Sequence, residues 1–134
     1  MLHLALPADL LAEWWLGLAI GLPLVGLGVL IQAMCIRTLR RAQTDLMFRR
    51  AVSSMLTDGP YRWSRNPMYV GILIWNAGLP LALNTAWLIP LPVILALYLH
   101  FWIVPREERY LSSRFGAEYA AYSSMVPRWL RGLG

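Results

Sequence analysis

Long uncharged apolar runs alternate along the chain with short segments that carry all of its arginines. Trp14 to Ile36 gives 23 residues without a formal charge, and Met68 to Val104 gives another 37. A helix rises ~1.5 Å per residue and the hydrocarbon core of a bilayer is ~30 Å thick, so the first run can cross a membrane once. The second run is long enough for two short crossings. The pattern therefore predicts about three transmembrane helices.

The second run has one clear polar break, Leu83-Asn84-Thr85, which carries no charge and predicts a tight hairpin. Pro80, Pro90 and Pro92 are expected to shorten, kink or cap the helices on either side. We predict an all-α integral membrane helical bundle that forms a single domain over residues 1–134. Its spans are expected at about 14–36, 68–83 and 86–104.

The remaining segments are more polar. Residues 37–67 are predicted to form a cytoplasmic loop, and its first part, Arg37 to Arg50, is expected to lie along the membrane surface. Residues 105–130 are predicted to form cytoplasmic helices, with Gly116 as the break between two of them. Spacings of three and four give these helices one apolar-aromatic face, formed by Leu111, Phe115, Tyr119 and Tyr122.

Composition and charge agree with a membrane protein. The chain is 58% hydrophobic and 14% charged, against roughly 45–50% and 25% in soluble domains. Its 12 basic residues are all arginine, none precedes Arg37, and they form two blocks beside the uncharged runs. Because cytoplasmic loops collect positive charge, we expect the bilayer rather than nucleic acid as partner of this +5 chain.

The same charge distribution predicts the orientation. With three spans, the N-terminus and the Asn84 turn lie outside, while the arginines and the C-terminus lie in the cytoplasm. The absence of lysine is typical of a GC-rich genome, and we expect a bacterial inner membrane. Self-association as a homo-oligomer is left open for so small a membrane protein.

Two polar clusters lie at helix ends on the predicted cytoplasmic side. Since the second and third spans form a hairpin, these clusters must be neighbours. Together they suit a polar, zwitterionic small molecule, and carboxylates with aromatic faces attract a cation such as a sulfonium. The alternative is that arginines and aromatics only anchor the helix ends. The first cluster comprises Tyr61, Arg62, Arg65, Asn66 and Tyr69, and the second comprises Arg106, Glu107, Glu108 and Arg109.

His100 lies inside the third predicted span, where an ionisable residue is a functional candidate. The alternative is a neutral histidine used for packing or hydrogen bonding. We predict no metal site, because the chain has two histidines and no cluster with metal-ligand spacing. Its one cysteine, Cys35, excludes an intramolecular disulfide.

Two segments of the chain, Gly59 to Gly71 and Arg106 to Arg128, resemble the paired motifs of a membrane methyltransferase superfamily. This superfamily includes isoprenylcysteine carboxyl methyltransferases and phosphatidylethanolamine N-methyltransferases. Gly59-Pro-Tyr-Arg-Trp-Ser-Arg-Asn-Pro-Met-Tyr-Val-Gly71 is similar to its Arg-His/Asn-Pro-x-Tyr-x-Gly motif. Arg106-Glu-Glu-Arg-Tyr-Leu111 and the residues to Arg128 resemble its C-terminal motif. Either motif alone is weak, whereas the pair at this separation is specific, and the resemblance covers about residues 17–130.

The resemblance implies that S-adenosylmethionine binds in a cytoplasm-facing pocket and that its methyl group passes to a lipid-like or small apolar acceptor. Glu107 and Glu108 are the implied catalytic residues, since an amine or thiol acceptor must lose a proton, whereas a carboxylate is already ionised. The implied cofactor-binding residues are Ser54, Met55, Leu56, Tyr61, Asn66, Pro67, Met68, Tyr69 and Glu107.

Two positions separate this chain from the carboxyl methyltransferases that it resembles. Asn66 stands where those enzymes usually have histidine, and Ile103 stands where they have an arginine one turn before the glutamates. Two other functions stay open at this point. One is an NADPH-dependent enzyme similar to sterol reductases, although Ile72 follows Gly71 where those have glutamate. The other is a non-catalytic membrane protein of the same fold.

Overall fold

A computed structural model describes residues 9–48 and 57–131 of the chain. Within these ranges all regular structure is helical, which confirms the predicted all-α fold. Short 3₁₀ turns at Gly59–Arg62 and Ala86–Leu88 precede the second and third α-helices, and a π-helical turn at Leu99–Ile103 joins the third to the fourth. The α-helices are α1 (Trp14–Phe48), α2 (Pro67–Ala82), α3 (Pro90–Tyr98), α4 (Val104–Phe115) and α5 (Ala117–Met125).

Helices α1 and α2 pack antiparallel through facing glycines. A Cβ atom on Gly28 would lie 2.5 Å from the carbonyl oxygen of Gly71, and one on Gly71 would lie 2.8 Å from that of Gly28. Gly21 and Gly78 form a second close pair nearer the other end. Without a side chain at these positions the two backbones can touch, which is how helices commonly associate in lipid. The glycines therefore set the distance between α1 and α2.

Two helical stretches are long and apolar enough to cross a membrane. They are Trp14–Ala42 and the continuous stretch Ala86–Phe115, which runs from the 3₁₀ turn through α3 and the π turn into α4. Only 22% and 11% of their most apolar windows are buried, whereas the core helix of a soluble protein is buried on most sides. These exposed apolar surfaces are typical of a membrane protein. Between them lies α2, apolar but only 16 residues long.

The end of α1 differs from the prediction. A span at 14–36 was expected to give way to a loop at 37–67, but the helix continues without a break to Phe48. The residues after Ile36 are mostly good helix formers such as arginine, leucine, alanine and glutamine, and no glycine or proline interrupts them before Gly59. The first part of the predicted surface segment is therefore a continuous extension of α1 over residues 37–48.

Two predicted breaks are confirmed. Asn84 turns the chain between α2 and the third span with a φ of 47°, and its side-chain amide exchanges two hydrogen bonds with the backbone of Leu11, at 2.9 and 3.0 Å. Gly116 ends α4 with a φ of 51°, a backbone conformation that glycine adopts without strain. The turn at Asn84 ties the N-terminal segment to the end of the molecule opposite the arginines. The break at Gly116 separates α5 from α4.

Candidate functional site

The site is built on the turn that starts α2. Gly59 has a φ of 58° and passes close to Thr38 of α1, which leaves no room for a side chain there. Asn66 then occupies the N-cap position of α2, and Pro67 follows at the first helical position, where a missing N–H costs nothing. The turn thus brings Tyr61 and the first residues of α2 to the same end of the α1–α2 pair.

The C-terminal segment is tied to this turn mainly through backbone atoms. The N–H of Arg65 donates to the carbonyl oxygen of Pro127 at 2.9 Å, and Nδ2 of Asn66 donates to that of Arg128, also at 2.9 Å. The hydroxyl of Tyr122 on α5 donates to the carbonyl oxygen of Tyr61 at 2.7 Å. The two polar clusters also meet as expected, because Tyr69 donates a hydrogen bond to Glu107 and Arg65 donates one to Glu108.

A cavity of about 140 Å³ lies between the turn and α4. Six of the residues that the resemblance implied for cofactor binding line it together, although they come from positions up to 46 residues apart in the chain. Leu39 of α1 and Arg65 complete the lining and were not in the predicted set. The other implied residues, Ser54, Met55 and Leu56, lie outside the described residues. The six implied cofactor-binding residues that line the cavity are Tyr61, Asn66, Pro67, Met68, Tyr69 and Glu107.

The adjacent glutamates of α4 have different partners. Glu107 lines the cavity, and its Oε1 accepts a hydrogen bond of 2.6 Å from the hydroxyl of Tyr69. Glu108 instead accepts from Nε and Nη2 of Arg128 at 2.9 and 2.6 Å, and from Nη1 of Arg65 at 3.1 Å. Both oxygens of Glu108 are thus engaged in charge-assisted bonds, a geometry that fixes position. Glu107 is the carboxylate that faces the cavity.

The bonds of Glu108 organise the wall of the site. Arg65 also donates from Nη1 to the hydroxyl of Tyr119 at 3.0 Å, so one guanidinium joins the α2 turn to α4 and α5. The Nε atom of Arg65 is buried without a partner among the described residues. We call Arg65, Glu108 and Arg128 the arginine–glutamate cluster. Sequence reasoning placed Arg128 in a motif but gave it no role, because nothing in the sequence indicated that it reaches α4.

Two tyrosines near the turn are held in their neutral form. Burial raises the pKa of Tyr61 to about 12, and the nearby Cys35 and Tyr122 add to the effect. Burial likewise raises the pKa of Tyr122 to about 12, although the positive charge of Arg65 opposes the shift. Both phenols therefore stay protonated to a higher pH than an ordinary tyrosine, and that of Tyr122 serves as a hydrogen-bond donor.

His100 has a structural partner in the C-terminal segment. The indole Nε1 of Trp129 donates to Nδ1 of His100 at 3.1 Å, and the two rings stack with centroids 6.1 Å apart. His100 sits on the π turn, Leu99–Ile103, and lines a second cavity rather than the one containing Glu107. The packing and hydrogen-bonding interpretation of His100 is the one that this geometry favours.

Comparison with known proteins adds the family. Residues 16–118 match the family model described as phospholipid methyltransferase. Protein-S-isoprenylcysteine O-methyltransferase B of Arabidopsis thaliana is 33% identical over 118 residues, which cover 86% of this chain and 59% of the plant protein. The protein-S-isoprenylcysteine O-methyltransferase of Schizosaccharomyces pombe is 33% identical over 109 residues, covering 75% and 46%. No solved structure matches the chain.

A shorter relative matches in full. An uncharacterized protein of Haemophilus influenzae is 39% identical over 67 residues, 47% of this chain and 100% of its own length. Against the plant and yeast proteins, by contrast, the chain spans only 59% and 46% of their length. Because the family model covers residues 16–118, well over half of the chain, the protein belongs to the phospholipid methyltransferase family.

Proposed function

We propose that the protein transfers a methyl group from S-adenosylmethionine to a lipid-like or small apolar acceptor at the cytoplasmic face of a membrane. The family and the names of its relatives favour methyl transfer over the reductase alternative. The observation that carries the proposal is the cavity, because six residues implied by the family motifs line one space. Residues that served only as helix anchors would not need to converge in this way.

The chemistry of the cavity suits the cofactor. It presents a carboxylate from Glu107, the rings of Tyr61 and Tyr69, and the amide of Asn66. A carboxylate and aromatic faces attract a cation, and the amide can bond a polar group. At about 140 Å³ the cavity is smaller than the roughly 300–1,000 Å³ of typical small-molecule sites. The described lining is therefore one part of the proposed cofactor site.

The two glutamates take different parts in the proposed reaction. S-adenosylmethionine supplies an electrophilic methyl group on a sulfonium. Glu107, oriented by Tyr69, holds negative charge at the cavity and is placed to accept a proton from an amine or thiol acceptor. Glu108 acts as a positioning residue, because its bonds to Arg65 and Arg128 fix the wall of the cavity. Most of the rate gain would come from orientation of the reactants.

Binding of S-adenosylhomocysteine to detergent-purified protein tests the proposal. We expect a calorimetric titration to give saturable binding by the wild type and at least a tenfold loss for Glu107→Gln, about 1.4 kcal/mol. Glu108→Gln is expected to lower the unfolding temperature instead, since it leaves Arg65 and Arg128 without their carboxylate partner.

Glu118→Gln is the matched control, because Glu118 is an exposed carboxylate on α5 that lines neither the cavity of Glu107 nor that of His100. It should bind the ligand as the wild type does. Failure of folded wild-type protein to bind S-adenosylhomocysteine at millimolar concentration would contradict the proposed function.

A further inference from the structure

One cavity in the described part of the chain is separate from the one that holds Glu107. It is a groove of about 840 Å³ along one face of α4, beside the π turn. It shares only Arg65 with the cavity of about 140 Å³. None of the residues implied for cofactor binding lines it, so the proposed methyl transfer does not account for it.

The groove is apolar at one end and polar at the other. Phe101 and Pro105 form the apolar end, and Phe101 is 62% exposed within the uncharged run that ends at Val104. The polar end is formed by Arg109, Ser112 and Ser113, further along the same face of α4. Pro105 and Ser112 are two helical turns apart, about 10 Å. The groove thus leads from the hydrocarbon edge to the water side within the length of a lipid headgroup.

The charge of the groove is positive. Arg109 is exposed and has no hydrogen bond or ion pair with residues 9–48 or 57–131. Glu108 is the one carboxylate in the lining, and two arginines already neutralise it. The hydroxyl of Ser112 and the phenol of Tyr119 add hydrogen-bond donors of the kind that bind phosphate oxygens. The hydroxyl of Ser113 instead donates to the carbonyl oxygen of Tyr110 at 2.8 Å.

We propose that this groove binds the headgroup of an anionic phospholipid, with the phosphate at Arg109 and Ser112 and the glycerol end of the acyl chains beside Phe101. An arginine at the membrane surface favours an anionic over a zwitterionic lipid, because a second charge on the headgroup cancels the attraction. The site does not depend on methyl transfer. Anchoring of α4 by such a lipid would hold the arginine–glutamate cluster against the bilayer surface.

Native mass spectrometry of the detergent-purified full chain tests the proposal. Short-chain phosphatidylglycerol, phosphatidylcholine with the same chains, and glycerol phosphate are each titrated into the protein, and their affinities are compared. We expect phosphatidylglycerol to bind about tenfold more tightly than phosphatidylcholine, and Arg109→Gln to lose about tenfold of that affinity. Ser112→Ala should weaken binding without changing the charge of the protein.

Arg106→Gln is the matched control, since Arg106 is an exposed arginine one turn earlier on α4 that does not line the groove. The affinity of the Arg106→Gln protein for phosphatidylglycerol should stay within about twofold of the wild-type affinity. Equal losses in the two arginine variants would reduce the effect to general surface charge and overturn the proposal. Glycerol phosphate binding as tightly as the lipid would also overturn it, in favour of a soluble phosphate ester. Titration of the same variants with S-adenosylhomocysteine reports on the proposed function separately.

Discussion

Glu107 and Glu108 have different environments because successive residues of an α-helix point about 100° apart. One carboxylate faces the cavity beside Tyr69, while the other accepts three bonds from arginines. The family resemblance identified both as catalytic residues, since a motif reports which residues occur and not where they point. Their separation depends on Arg128, which is 20 residues from Glu108 along the chain. No local pattern could have predicted that contact.

The buried hydroxyl of Tyr122 gives the fold an alkaline limit. Its pKa is raised from 10 to about 12 in the folded state, so the unfolded chain loses this proton first as the pH rises. The contribution to stability is complete below about pH 10 and is lost progressively towards pH 12. Tyr122→Phe should cost about 1 kcal/mol at neutral pH, through the lost bond to the Tyr61 carbonyl. It should also make the alkaline decline shallower.

Thermal unfolding in detergent between pH 8 and 11.5 measures both effects. Tyr110→Phe, which removes an exposed phenol from α4, is the control and should follow the wild-type curve. Tyr61 has a raised pKa of its own, so part of the alkaline decline is expected to remain in Tyr122→Phe. Parallel curves for Tyr122→Phe and the wild type would show that this phenol does not set the limit.

At the scale of helices, the hydrophobic pattern predicted the elements well but not their ends. The start of the first span at Trp14 and the breaks at Asn84 and Gly116 follow from charge, polarity and glycine, which are local signals. Local signals did not predict the extension of α1 to Phe48 or the π turn at Leu99–Ile103. Arginine is both a good helix former and a marker of the membrane edge, so the charge at Arg37 indicated the end of the span and not of the helix.

The contact between α1 and α2 should respond very differently to alanine at two nearby glycines. Gly28→Ala would place a methyl group 2.5 Å from the carbonyl oxygen of Gly71, a backbone atom that cannot move aside. We expect a loss of about 2 kcal/mol or more, comparable to overpacking in a protein core. Gly26→Ala adds the same methyl group where nothing lies within 4 Å. That change should be neutral or stabilise the helix by up to about 1 kcal/mol.

Unfolding temperatures of the two variants in one detergent make the comparison. Equal destabilisation by Gly28→Ala and Gly26→Ala would mean that the close approach of α1 to α2 is absent in solution. The sequence showed that several glycines were available for such packing. It could not show which of them face α2, because that depends on how the two helices are rotated.

Across the described part of the molecule, the arginines are confined to one end. The turn before α2, helix α4 and the C-terminal segment carry every arginine between residues 57 and 131, and they pack together. At the other end, Asn84 bonds to Leu11, and Leu81 contacts Gly17. A helical bundle with such asymmetry is expected to insert with its arginine-rich end in the cytoplasm. We therefore predict this orientation from the fold and the sequence together.

Accessibility of single cysteines to a membrane-impermeant maleimide tests this orientation. In a Cys35→Ser background, Leu83→Cys places a thiol on the exposed turn beside Asn84, and Ser124→Cys places one on the exposed surface of α5. We expect intact cells to label the Leu83→Cys protein, while the Ser124→Cys protein is labelled only after the membrane is permeabilised. The reverse pattern would put the arginines outside and would contradict the proposed access of a cytosolic cofactor to Glu107. Because the site and the arginines share one end, this experiment decides which compartment must supply the methyl donor.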